Sequence, residues 1–248
     1  TGQSQLISIS EKIQLINLLP KSNYMDKFII GTGLNSLVDN INLIKIAKSN
    51  GFNKFLIMPP AYYKYSDDDV INFYSRIIDE INECKIILYN FEKLSGYKFS
   101  IDCVEELVKK FPSQIVGVKD SSYNLYENLK IDNFSVMPGS ESKLLKGLEL
   151  GCSGIITATT NVTSILARDV YDKFQNGSDQ SSNEKLCLVR SIFDKFNLIS
   201  GLHTFMAQID QDYQNLIPPL KLLNENEKKI FFAELQKLDF DFKHLKAA

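Results

Sequence analysis

The sequence predicts an α/β fold, a (β/α)8 TIM barrel with extra C-terminal helices. Three observations carry that prediction. Short runs rich in Ile, Val, Leu and Phe alternate with longer amphipathic stretches. The first four runs start about 30 residues apart, the length of one barrel repeat. After the last run the pattern stays helical through Leu238, interrupted only by Pro218-Pro219. Alternation with short links implies parallel strands joined by right-handed crossovers.

The strand candidates are Lys27–Gly31, Lys54–Met58, Lys85–Tyr89, Gln114–Lys119, Phe134–Met137 and Gly154–Ala158. Each is short and apolar, as expected of strands covered on both faces. Ser8 with Glu11 forms a capping-box pattern before Ile13–Leu19, and Pro20 follows that helix. Leu37, Val38, Ile41, Ile44 and Ala47 recur at helical spacing until Gly51. Ser66 with Asp69 opens a helix carrying Val70, Phe73, Tyr74, Ile77, Ile78 and Ile81 on one stripe. Ser100 caps the helix that holds Val104, Leu107 and Val108.

Six strands are two short of a closed barrel. The chain opens on Thr1-Gly2 directly before a capped helix, as though entering at the end of a strand. The expectation is that the first two strands are missing from the covered chain, since an open parallel edge would expose unpaired backbone groups. Residues 1–162 then hold strands 3 to 8 of the barrel, and residues 163–248 its last helix and a C-terminal helical extension. An incomplete barrel is the alternative.

Composition narrows the function classes. With 248 residues and 44% hydrophobic content the chain can bury a full core. Its net charge of −2 is spread without basic blocks, so nothing points to nucleic acid or a membrane surface. No apolar run is long enough to span a bilayer, and the first residues lack the basic start and apolar core of a signal peptide. Cys84, Cys103, Cys152 and Cys187 are widely spaced and form no CxxC, which suits a reduced, cytoplasmic setting. Neither His203 nor His244 sits in a metal-ligand pattern, so no metal and no cofactor are expected.

In parallel α/β folds ligand chemistry gathers at the carboxyl ends of the strands. The residues there are Gly31-Thr32-Gly33, Pro59–Tyr63, Tyr89-Asn90, Lys119-Asp120, Gly139–Glu141 and Thr157–Asn161. Lys119 admits two readings from its own segment. It is either a charge stepping into water, as most lysines are, or an amine on an interior face shared with Ile115 and Gly117. In the second case burial lowers its pKa and leaves a nucleophile able to condense with a ketone. Tyr89 ends its strand in the same way, either as a proton relay or as an aromatic filling the barrel top. Gly139, Gly151 and Gly154 admit an anion cradle or plain turns.

Taken together, "YN…LSG" at Tyr89–Gly96, "GVKDSS" at Gly117–Ser122, "GTG" at Gly31–Gly33 and "PPAYY" at Pro59–Tyr63 resemble the dihydrodipicolinate synthase / N-acetylneuraminate lyase family. "PGSE" at Pro138–Glu141 and "GIITATTN" at Gly154–Asn161 agree in order and spacing, so the resemblance covers essentially the whole chain. It implies a class I aldolase. Lys119 matches the Schiff-base lysine and Tyr89 the catalytic tyrosine. Thr1-Gly2 matches the end of a motif whose threonines hold the keto-acid carboxylate, with Gln3 where that motif has glutamate. Gly139 and Ile156 match positions lining the keto-acid end of the pocket, and Glu141 falls among the substrate-binding positions. Tyr62 matches a tyrosine that reaches into a neighbouring subunit, which implies a homo-oligomer, commonly a tetramer built from dimers.

Departures bear on the substrate. Dihydrodipicolinate synthases carry an arginine shortly after the catalytic tyrosine to grip a carboxylate, and here that position is Leu94, which cannot. Gly139–Ser142 does not reproduce the run that contacts the sialic-acid polyol in neuraminate lyases. "GVKDSS" and "NLIPPLKLL" are more similar to 2-keto-3-deoxysugar-acid aldolases, although their usual arginine is Ile217 here. The leading expectation is therefore an aldolase or lyase acting on pyruvate or a related 2-oxo acid and an aldehyde. A dihydrodipicolinate synthase or a family dehydratase is the alternative within the class. Outside it stand a non-catalytic barrel and a phosphate-binding barrel.

Overall fold

The computed structural model describes residues 2–81 and 83–242. They form two compact units, residues 4–137 and residues 138–242, the second also including residues 2–3.

Within residues 4–137, helices and parallel strands alternate as the sequence pattern requires. The elements are α1 (Ile9–Leu18), β1 (Ile30–Gly31), α2 (Leu37–Ser49), β2 (Lys54–Ile57), α3 (Asp67–Glu80), β3 (Lys85–Asn90), α4 (Glu92–Ser95), α5 (Ile101–Lys110), β4 (Ile115–Asp120) and β5 (Ser135–Pro138), which crosses into the second unit. The sheet order is β1-β2-β3-β4-β5. Helix starts follow local chemistry: the Ser8 and Ser66 hydroxyls accept N–H bonds from Glu11 and Asp69, and those carboxylates return to the serine N–H groups. Ser36 and Ser100 cap α2 and α5. Phe55, Ile57, Ile86, Leu88, Ile115 and Val118 are buried, as are Leu43, Ile44, Ile77, Val104 and Leu107 on the helices. This is the shared strand–helix core of a parallel α/β layer.

The register between β3 and β4 positions the site. Ile86 pairs with Ile115, but Ile87 pairs with Gly117, so Val116 is an extra residue in a bulge. Beyond it Leu88 meets Val118, Tyr89 meets Lys119 and Asn90 meets Asp120. The bulge corrects one expectation. Gly117 and Lys119 share the face of Ile87 and Tyr89, whereas Ile115 is registered with Ile86 on the other face. Gly117 also permits close approach of the next strand, because a Cβ there would lie 2.6 Å from the Ser135 carbonyl oxygen.

In the second unit α6 (Leu144–Glu149), α7 (Thr160–Gln175), α8 (Ser181–Phe193), α9 (Leu198–Met206) and α10 (Glu225–Lys237) follow one another. Val162, Val189, Phe193, Phe205, Phe231 and Leu235 form one buried cluster, and Leu144, Leu148, Val170 and Leu186 another. Two strand expectations change. Gly154–Ala158 forms no strand: β5 ends at Pro138, the chain turns at Gly139-Ser140, and a single bond from the Ile156 N–H to the Pro138 carbonyl remains. Lys27–Gly31 shrinks to Ile30–Gly31, because the Lys27 N–H closes a short turn onto Tyr24.

Gly117→Ala is expected to destabilise the protein by about 1–3 kcal/mol, since the obstructing atom is backbone and cannot swing away. Gly31→Ala, with no atom within 4 Å of the added carbon, should shift stability by less than ~0.5 kcal/mol. Urea denaturation midpoints of the two variants check the contrast.

Candidate active site

Lys119 and Tyr89 are register partners at the carboxyl ends of adjacent parallel strands. The Lys119 Nζ lies over the Tyr89 ring, 4.1 Å from its centroid. Burial lowers the lysine pKa from 10.5 to about 8, because the ammonium loses hydration. The ring face favours the ammonium when it forms, so the amine can hold or release a proton near neutrality. Burial raises the Tyr89 phenol, partly offset by a hydrogen bond with the Ser121 side chain. Tyr89 is therefore a proton donor at neutral pH, and Lys119 a partly deprotonated nucleophile.

A polar network on the opposite face holds this pair. Asp120 and Asn90 are fully buried. Asn90 Nδ2 donates to Asp120 Oδ1 and to Asn124 Oδ1, both at 2.8 Å. The Asp120 carboxylate also accepts the N–H groups of Tyr123, Leu125 and Tyr126 at 2.9, 2.9 and 3.0 Å. Asn90 Oδ1 accepts the Phe99 N–H at 3.1 Å, and Asn124 Nδ2 donates to the Phe99 carbonyl at 2.8 Å. The loop after β4 is thus wound around one carboxylate, which ties it to β3.

The other candidate residues in this unit, Leu94 and Tyr62, are exposed. Leu94 sits on the short helix α4 and is half exposed. Tyr62 is 90% exposed with φ +90°, its ring edge-on to Tyr63 at 5.1 Å.

The second unit holds the remaining candidates. Thr1 lies outside the described residues. Gly2 has open space around it, and Gln3 at φ +54° accepts the Ile217 N–H through its side-chain oxygen at 2.7 Å. Gly139 and Ile156 are half-buried. Glu141 differs from the expectation of a substrate contact. It is fully buried and its carboxylate is taken up by Arg190 Nη1 at 2.7 Å, Thr157 Oγ1 at 2.8 Å and Thr163 Oγ1 at 3.3 Å. Arg190 also reaches Thr157, Thr159 and Asp194. Burial works against the guanidinium charge, but Glu141 and Asp194 more than offset it, and its pKa is raised. The anion-cradle reading loses donors as well, because the N–H groups of Gly151 and Cys152 are bonded to the Leu148 and Gly147 carbonyls.

The family model of the dihydrodipicolinate synthetase family matches residues 1–238. The chain belongs to that family. It is 28% identical over 248 residues to the 4-hydroxy-tetrahydrodipicolinate synthase of Methanopyrus kandleri, covering 96% of this chain and 82% of that one. It is 26% identical over 186 residues to the 2-dehydro-3-deoxy-D-gluconate/2-dehydro-3-deoxy-phosphogluconate aldolase of Picrophilus torridus, covering 73% and 68%. The chloride-inhibited dihydrodipicolinate synthase of Acinetobacter baumannii, solved in complex with pyruvate, superposes with a TM-score of 0.81 at 25% identity, covering 96% of this chain and 84% of that one. The fold is that of the family's TIM barrels, and the activity class is carbon–carbon lyase or aldolase. Among the described residues no helix is long and apolar enough to cross a membrane.

The motifs assign roles to Tyr89 and Lys119 and none to Asn90 and Asp120, which stand beside them at the strand ends. Asn90 and Asp120 directly follow them, and that adjacency was the available signal: on a strand the next residue faces the other way. Arg190 carried no such signal, since it lies 49 residues from Glu141 in sequence.

Because burial disfavours the ammonium, Lys119 should react as a free amine from lower pH than ordinary lysines. Its reductive methylation is expected to rise with pH through about 8, followed by peptide mass analysis. The same sign governs stability. The unfolded chain keeps this proton up to about 10.5, so the cost of burying the charge is full below about 8 and fades as pH rises between those values. Arg190→Ala is expected to cost about 3–5 kcal/mol in urea denaturation, because it strands a buried carboxylate. Arg190→Lys should cost less.

Proposed function

We propose that this chain is a class I 2-oxo-acid aldolase or lyase that forms a Schiff base between Lys119 and pyruvate or a related 2-oxo acid. The observation that carries the reading is the Lys119 amine, brought to a pKa of about 8 by burial and set 4.1 Å from the Tyr89 ring centroid. The Nζ lone pair adds to the keto carbon. The former carbonyl oxygen takes up protons and leaves as water, giving a protonated imine. In the cleavage direction the β-hydroxyl gives up its proton to Tyr89 and the protonated imine draws in the electron pair of the bond between its α and β carbons, releasing an aldehyde and leaving an enamine. The enamine takes a proton and is hydrolysed to the 2-oxo acid and free Lys119. Tyr89 relays the proton between the carbinolamine oxygen and the aldehyde oxygen.

Thr1, Gly2, Gly139 and Ile156 hold the keto-acid end in this reading. Tyr62 acts in a neighbouring copy within a homo-oligomer, a tetramer built from dimers, and its exposure beside an exposed Tyr63 supports that role. Residues 1–162 carry the chemistry and residues 163–248 the last barrel helix and the helical extension. The wide spacing of the four cysteines, with no CxxC, supports a cytoplasmic setting. The Acinetobacter relative's complex with pyruvate supports the choice of 2-oxo acid.

A second reading, condensation of pyruvate with aspartate semialdehyde, is favoured by the likeness to the Methanopyrus synthase. Leu94 weighs against it, because no guanidinium stands there for the second carboxylate.

Borohydride reduction with pyruvate should leave a mass adduct on the peptide holding Lys119, and Lys119→Ala should abolish it. Tyr89→Phe is expected to lower kcat by about 10²–10⁴-fold. Absence of any adduct on folded protein overturns the proposal.

A further inference from the structure

The sequence contains two Asn-Gly pairs, Asn50-Gly51 and Asn176-Gly177. Each stands at the C-terminal end of a helix, α2 for the first and α7 for the second, and their backbones are almost alike. Asn50 has φ −92° and ψ 6°, and Asn176 has φ −92° and ψ 3°. Both glycines are left-handed, at φ +92° and +63°. Both glycine N–H groups donate to a helix carbonyl, Gly51 to Lys48 at 2.9 Å and Gly177 to Phe174 at 3.1 Å.

Their surroundings differ. Asn50 Nδ2 donates to the Ile46 carbonyl at 3.0 Å and to Asn17 Oδ1 at 3.1 Å. The chain after Gly51 enters the core at once: Phe52 is buried, its N–H is bonded to the Ala47 carbonyl at 3.0 Å, and β2 begins at Lys54. By contrast, residues 175–179 are all exposed, and α8 begins only at Ser181. Opening the end of α7 therefore uncovers no buried side chain, whereas opening the end of α2 pulls Phe52 toward water.

We propose that Asn176-Gly177 is a site of spontaneous modification, at which Asn176 passes through a cyclic imide to aspartyl and isoaspartyl forms. When the turn opens, the Gly177 amide gives its proton to hydroxide and its nitrogen attacks the Asn176 side-chain carbonyl carbon. That N–C bond forms, the bond to the side-chain nitrogen breaks, and this nitrogen takes up a proton and leaves as ammonia. Water then opens the ring at either carbonyl, giving the two acids. Glycine permits the approach because it has no Cβ. The new carboxylate stands at the C-terminal end of α7, where the helix dipole disfavours negative charge, so the conversion loosens that end. Freeing the Asn50 amide from its two bonds slows the same reaction there by about tenfold or more.

The test incubates folded protein at mildly alkaline pH and follows both peptides by mass analysis, with aspartyl and isoaspartyl forms separated by chromatography. Asn176 is expected to convert about tenfold or more faster than Asn50. Asn176→Gln should remove the fast product, because the longer side chain has to close a larger ring. In urea, with the fold gone, the two pairs should react at comparable rates. Conversion of Asn50 at an equal or greater rate in folded protein overturns the proposal. So does an Asn176 that stays intact in folded protein while the same pair reacts in urea. A preference that persists undiminished in urea overturns the role given to the fold. If Asn176→Gln fails to fold, the comparison of the two wild-type sites still decides.

Discussion

The face of residues 4–137 that carries Tyr89 and Lys119 depends on a buried carboxylate behind it. Asp120 takes one side-chain and three backbone N–H donors, and through Asn90 it clamps the ends of β3 and β4 to the loop that follows. Successive strand residues face opposite ways, so fixing Asn90 against Asp120 on one face fixes Tyr89 against Lys119 on the other. A slip of one residue would turn every side chain over and separate the pair. The bulge at Val116 and the bare Gly117 belong to the same arrangement: one sets the register, and the other lets β5 approach.

Two charges drawn out of water, one fully buried and one partly, are treated in contrasting ways. Glu141 is supplied with a guanidinium and two hydroxyl donors. Lys119 has its pKa lowered by burial, with an aromatic face as its neighbour. A fully paired ion is structurally sound but chemically quiet, whereas an amine that has lost hydration can shed its proton and attack a carbonyl. The cost of burying an amine and its reactivity thus share one origin. Arg190 also spans Thr157 and Thr159, so the segment that fails to become a strand is held by side chains instead of a ladder.

Much of the fold was legible where local chemistry decides it. Ser8, Ser66 and Ser100 start helices because each offers a hydroxyl to an otherwise unpaired N–H, and this needs only neighbouring residues. The apolar runs at Lys54, Lys85 and Gln114 became strands for a similar reason, since β-branched and large apolar residues suit a doubly covered sheet. Gly154–Ala158 reads the same way and did not, because a strand needs a partner and its neighbour ended at Pro138. Ile115 changed faces because a bulge is a relation between two strands and leaves no mark on either alone.

The amino-acid sequence by itself determined the alternating architecture, the helix caps, and the family motifs that single out Lys119 and Tyr89. These rest on periodicity and short-range bonds, which are properties of order along the chain. Only the tertiary structure decided that the lysine is half-buried against the phenol's ring, that Asn90 and Asp120 brace it, and that Glu141 is tied to Arg190. Each of these joins residues distant in sequence, and each turns on loss of water, which a side chain undergoes only once the surrounding chain has packed around it.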